Sequence, residues 1–139
     1  MSDIEWARER RRILLPVIIL APFPSTDLTG LDATALVDTG SSVSGIAASV
    51  AAGLGLEGLG KRPLTSAQGL SQVQRFTFRV GLRPTTPLTS PEFPYVFEEV
   101  VGIELTNAFQ FDALLGMDIL AQCDFSTDRA GRCRLSFGR

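Results

Sequence analysis

No histidine occurs in the 139 residues. Hydrolases that depend on an imidazole base are excluded, as is every histidine-ligated metal site. The only two cysteines, Cys123 and Cys133, cannot close a structural zinc site. They flank a turn signal at Thr127–Gly131 and could face each other across a hairpin. A disulfide and a reduced pair both fit, and the reduced pair is favoured because buried free cysteines are common. Charge of one sign is also lacking. Thirteen Lys and Arg stand against 15 Asp and Glu, a net charge of −2, which gives the whole chain no electrostatic case for nucleic acid or an anionic membrane. No apolar run approaches the roughly 20 residues needed to span a bilayer.

The nearest approach to a targeting signal is the basic stretch Arg8–Arg12 followed by the apolar run Ile13–Leu20. Asp3, Glu5 and Glu9 interrupt the basic region, Pro16 breaks the apolar one, and no A-x-A site follows. The run is short and rich in β-branched residues, so it reads equally well as a buried strand. The basic stretch itself reads as a solvated face. A soluble, cytoplasmic protein is expected, with export by an atypical signal as the alternative.

What is present is ordinary globular material: 45% hydrophobic and 20% charged residues. The length suits one domain, able to bury about two-thirds of its unfolded surface. A charged arm, residues 1–12, helical or frayed, precedes a domain at 13–139. Strands are expected at Ile13–Leu20 and Leu31–Val37, around a loop marked by Pro22, Pro24 and Gly30. Ile46, Val50 and Leu54 recur every four residues and predict a short helix over Gly45–Leu54. Arg62–Gln68 and Gln72–Leu82 read as strands joined around Gly69. In the second, Phe76, Phe78, Val80 and Leu82 alternate with Arg75, Thr77 and Arg79, placing the charged residues outside. Val73 is out of phase and hints at a bulge or twist near the hairpin tip. Residues 83–94 hold four of the eight prolines and form an exposed insertion. Tyr95–Leu105 is a strand with Tyr95, Phe97, Val101, Ile103 and Leu105 on one face. Ala113–Leu115, a short helix at Gly116–Gln122 and a terminal hairpin complete a mainly β chain.

Two glycine patterns are set aside. Gly53–Gly58 matches G-x-G-x-x-G, and Gly55–Lys61 nearly matches a phosphate-binding loop. A helix precedes the first where a strand is needed, and Arg62 stands where the second needs Ser or Thr. Pro63 disfavours helix at Arg62. A helix stop and a turn account for both.

The informative segment is Ala35-Leu-Val-Asp38-Thr-Gly-Ser41. An apolar strand ends on a carboxylate. Gly40 permits a turn where a side chain would clash, and Thr39 and Ser41 supply hydroxyls. A helix cap or an Asx-turn would account for an isolated Asp-Thr-Gly; the strand behind it favours a rigidly held carboxylate. The segment resembles the catalytic signature of aspartic proteases. Asp112-Ala-Leu-Leu-Gly116-Met-Asp-Ile-Leu120 resembles the second signature of the single-domain, retropepsin-like group, cellular or bacterial in type. The order of elements agrees from Ile13 to Phe137.

The resemblance implies a mainly β, closed acid-protease barrel with one or two short helices, one lobe per chain, and an aspartic endopeptidase active as a homodimer. Two neighbouring carboxylates share one proton; the charged one activates water and the protonated one donates to the scissile carbonyl. This chain has one Asp-Thr-Gly, and Asp112 and Asp118 lack the following hydroxyl and glycine. A two-lobed enzyme would need about twice the length. The second Asp38 is therefore expected from another copy across a two-fold axis. The resemblance assigns Thr39 a hydroxyl contact across that axis and Ser41 a hydrogen bond to the outer oxygen of Asp38. Leu115 and Gly116 support the loop from beneath. The resemblance also makes Gln68, Gly69 and Leu70 the tip of a flap over an extended peptide, where the residues alone fit an ordinary hairpin turn as well. It implies, too, that Leu135–Phe137 pairs across the dimer. Met117 stands where viral members carry arginine, so an ion pair that braces their dimer is not expected. No metal or cofactor is implied. The competing reading is a dimeric protein- or peptide-binding module on the same fold without turnover.

Overall fold

Ile4 and Trp6 alternate with Asp3, Glu5 and Ala7, and that period of two makes Ser2–Ala7 a strand, β1, in the computed structural model. The structure describes residues 2–66, 69–85, 94–106 and 110–138. The start of the chain is therefore not a helical or frayed arm: β1 is zipped antiparallel onto the last strand, with Ile4 opposite Leu135 and buried, and Trp6 packs beside Phe125. Helical or frayed structure would have left Ile4 in water, and residues far along the chain provide the alternative.

The remaining elements are β2 (Leu14–Leu20), β3 (Leu31–Val37), β4 (Gly45–Ala47), α1 (Ala48–Gly53), β5 (Lys61–Ser66), β6 (Gly69–Leu82), β7 (Tyr95–Leu105), β8 (Ala113–Leu115), α2 (Met117–Leu120), β9 (Asp124–Thr127) and β10 (Arg132–Phe137). The chain is mainly β. One sheet has the order β2-β3-β8-β4-β7-β6-β5, and β2 also pairs with β6, so the pairings return to their starting strand. Ile18 and Ile19 have neighbours on both edges, and Ile18–Leu20 is buried throughout. Pro16, lacking an N–H, lies in the part of β2 that pairs with β3 alone. A second sheet has the order β1-β10-β9.

Four sequence expectations change. The helix begins only at Ala48, and Ile46 belongs to β4 between β7 and β8; a period of four across Ile46 and Val50 reflects two different elements facing one core. Tyr95 and Val101 do not share the buried face of β7. Phe97 is buried, and so are Val100 and Gly102. The register slips by one residue between the Phe78–Val100 and Val80–Phe97 pairs, and Glu99 has φ 54°. This bulge flips the pleat; it lies opposite Arg79, whereas the β5–β6 register around Val73, where a bulge was expected, runs without a shift. Arg79 does not point to solvent. It is 1% exposed, and its guanidinium donates to the carbonyls of Ala21, Pro24, Ser25 and Asp27, with Glu98 3.9 Å away. The loop after β2 folds over it, and its N–H donors, met by backbone oxygens, make that burial tolerable. Finally, β10 is the centre of its sheet, paired on both edges within its own chain. Leu135 and Ser136 therefore have no free edge with which to pair across a dimer, and Phe137 is paired on one edge, with Ser2.

The seam between β1 and β10 carries a pH-dependent contribution. Asp3 accepts hydrogen bonds from Ser136 Oγ and from Arg134 Nη2, each at 2.6 Å. These hold its carboxyl below the ordinary value of 3.8, Ser136 first and Arg134 second. A lowered folded-state pKa stabilises above the unfolded value and loses that contribution as pH falls through the folded one. Thermal unfolding of wild type and Asp3→Asn at a series of pH values is expected to give a constant gap above about pH 5 that closes on acidification. A gap that stays the same down to about pH 2 would remove the carboxylate from the seam.

Candidate active site

β3 and β4 are consecutive in the chain, yet β8 lies between them, parallel to β3 and antiparallel to β4. Residues 38–44 must therefore arch over the end of β8. Asp38 opens the arch. Its N–H donates to Leu115 O at 3.0 Å, continuing the β3–β8 ladder by one step. Its Oδ1 accepts the Gly40 N–H at 2.9 Å, and its carbonyl accepts the Ser41 N–H at 3.3 Å. Asp38 is half-buried, while Thr39 and Gly40 are exposed at the crest. A Cβ on Gly40 would stand 3.2 Å from Asp38 Oδ1, so any larger residue would crowd the carboxylate at this turn.

The expected support lies beneath. Leu115 is buried opposite Val37. Gly116 touches the underside of the arch, where a Cβ would lie 2.5 Å from Val43 O and 2.9 Å from Ser41 O. Met117 N–H donates to Ser41 O at 2.7 Å. The role expected of Ser41 is different in the structure: its Oγ donates to Val43 O at 2.7 Å, closing the arch on itself.

Ser44 and Asp118 are the polar residues that pattern reading missed. Ser44 is fully buried. Its N–H and Oγ–H donate to Asp118 Oδ2 and Oδ1 at 3.0 and 2.6 Å, and its Oγ accepts the Gly116 N–H at 3.0 Å. Their only sequence signal is proximity to the Asp38–Ser41 segment and to Leu115-Gly116. Asp112 is occupied elsewhere, its Oδ2 accepting the Thr34 N–H at 3.2 Å. Neither Asp112 nor Asp118 is left unengaged as a partner for Asp38.

β5 and β6 form a hairpin closing at the Ser66–Gly69 pair. Gly69 has φ 113°, a conformation that favours glycine. Leu70 is 70% exposed. Gln68, the third residue expected at the tip, lies outside the described residues. The glycine run after α1 leads through Gly55 and Gly60 into β5, so no helix begins where a phosphate would need one.

Other chemistries find little here. Among the described residues no group of three or more Cys, Asp or Glu is arranged to hold a metal ion. The cysteines are free; Cys133 sits opposite Thr127 rather than opposite Cys123. Burial, helped by Asp124, pushes the Cys123 thiol up to about 11, which leaves it protonated and poorly nucleophilic at neutral pH. Among the described residues no helix is long and apolar enough to cross a membrane.

A carboxylate on a glycine-tight arch, seated on a strand that threads between the arch's own two ends, defines the acid-protease class of lobe. Residues 25–119 match the family model described as aspartyl protease, and the chain belongs to that family. Its fold is retropepsin-like: a solved retropepsin-like aspartic protease from Rickettsia conorii superposes with a TM-score of 0.64 over 98% of this chain and 91% of that one, at 19% identity. No curated protein matches the sequence.

Proposed function

We propose that the chain is an aspartic endopeptidase working as a homodimer, in which the Asp38 carboxylates of two copies hold and activate one water. The supporting observation is the arch itself. It holds one carboxylate by a backbone N–H at 2.9 Å, and its crest, Thr39 and Gly40, is exposed in the single chain. The two acids that flank the strand beneath it, Asp112 and Asp118, are engaged elsewhere. A symmetric second copy is the simplest source of the missing carboxylate. One acid then carries the shared proton toward the scissile carbonyl while the other takes a proton from water.

The β5–β6 hairpin, with Gly69 and Leu70 at its described end, acts as the flap. Peptide lies extended beneath it and gains backbone hydrogen bonds. A module that binds peptide without turnover would keep the fold, but it has no use for a pair of like charges brought together at an interface.

The reading is tested by incubating the protein with a diverse peptide mixture at several pH values, beside Asp38→Asn. Cleavage by the wild type alone supports it, and binding without cleavage by either protein favours the module. A second test addresses assembly. Thr39→Ala removes two symmetric contacts, worth together about 1–3 kcal/mol. Dimer dissociation is expected to become easier by about ten- to a hundred-fold, read by sedimentation over a range of concentrations, with the folded monomer intact. An unchanged dimer constant would take Thr39 out of the interface.

A further inference from the structure

We propose that Asp118 is a positioning residue for the Asp38 arch, acting through Ser44 and Gly116; the proposal rests on the endopeptidase reading. An ionised carboxylate can only accept. Asp118 takes three donors: Ser44 N–H at 3.0 Å, Ser44 Oγ–H at 2.6 Å and Ile119 N–H at 2.9 Å. The hydroxyl proton of Ser44 is thereby committed to Asp118. The lone pairs of the same oxygen face the other way and accept the Gly116 N–H at 3.0 Å. The result is a one-directional chain, Gly116 N–H to Ser44 Oγ–H to the Asp118 carboxylate.

That chain joins the two halves of the site. Ser44 ends the arch that Asp38 begins, and its carbonyl accepts the Ile103 N–H of β7 at 3.0 Å. Gly116 is the seat on which the arch rests, with no room for a Cβ. Leu115, one residue earlier, accepts the Asp38 N–H. Asp118 therefore sets the height and tilt of the arch relative to β8, and with it where the Asp38 carboxylate stands relative to its twin. A buried serine with every polar group used has no slack to absorb a change at Asp118.

Asparagine is not a neutral replacement. An amide NH2 in place of Oδ2 faces the Ser44 N–H, donor to donor. In place of Oδ1 it faces the Ile119 N–H and turns the Ser44 hydroxyl against the Gly116 N–H. Asp118→Asn is expected to lower kcat by about ten- to a hundred-fold, the cost of misplacing a reacting group by a fraction of an ångström to one ångström. KM should stay within about twofold, because the flap and cleft walls are untouched. Ser44→Ala is expected to do the same, and the double variant to be little worse than either alone, as for two links of one chain. Asp27→Asn, which loses two local bonds from Thr29 in a loop remote from the arch in sequence, is expected to leave kcat unchanged.

Amide exchange of Gly116 and Gly40 supplies a readout independent of turnover. Both should exchange faster in Asp118→Asn and Ser44→Ala but not in Asp27→Asn. Normal kcat with unchanged exchange in folded Asp118→Asn overturns the proposal, as do additive losses in the double variant. A wild type that cleaves nothing overturns the endopeptidase reading instead, and the exchange pattern then still decides whether Asp118 positions the arch.

Discussion

Asp38→Asn is expected to abolish peptide cleavage, with a loss of at least about 10^4-fold, while leaving a folded dimer. The size follows from the chemistry. Each proton transfer by a positioned group contributes roughly 10^2–10^4-fold, and in the proposed homodimer one substitution removes both acid and base. The fold should survive because Asn keeps an oxygen able to accept the Gly40 N–H, now at 2.9 Å from Asp38 Oδ1. Mixing adds a sharper test. If subunits exchange freely, an equal mixture of wild type and Asp38→Asn has about one quarter of its dimers with two aspartates. Activity should fall with the square of the wild-type fraction. A linear fall means that each chain works alone, and the paired-carboxylate mechanism is then wrong.

Gly116→Ala carries the next largest effect. The added carbon would meet Val43 O at 2.5 Å, Val43 C at 2.6 Å and Ser41 O at 2.9 Å. All three are backbone atoms, so no side chain can swing away. Either the arch lifts off β8 or β8 sinks into the core against Leu115, which is 1% exposed. Overpacking of this kind costs about 1–3 kcal/mol, visible as a lower urea midpoint. Lifting the arch also displaces Asp38 and is expected to cost about 10^2-fold in kcat. Gly40→Ala is a graded comparison: its Cβ meets only a side-chain oxygen, at 3.2 Å, so stability should change little while kcat falls modestly. Full activity in a stably folded Gly116→Ala would mean that the arch does not depend on its seat.

The residues of the Asp38 arch and its seat are legible in the sequence for local reasons. A strand that ends on Asp38 and must turn at once needs Gly40 next to the carboxylate, and neighbours in sequence are neighbours in space there. Leu115 and Gly116 are legible for a similar reason: two apolar residues followed by a glycine describe a strand end pressed against something. The alternation in β6 identifies Phe76, Phe78, Val80 and Leu82 as core, and all four are buried.

What eludes pattern reading depends on which distant segments meet. Arg79 looks like an outward residue until the loop after β2 closes over it and offers four carbonyls. The Ser41 hydroxyl turns to Val43 O and not to the Asp38 carboxylate, a choice made by the curvature of the arch. Tyr95–Leu105 has a regular apolar period, but one extra residue opposite Arg79 inverts its faces. β1 needs an edge on β10, more than 120 residues away. Ser44 finds Asp118 across 74 residues. Periodicity reports which face of an element is apolar, because backbone geometry repeats within the element. It carries no information about which edge, loop or carboxylate will arrive on the other side, since that is settled by packing the whole chain at once.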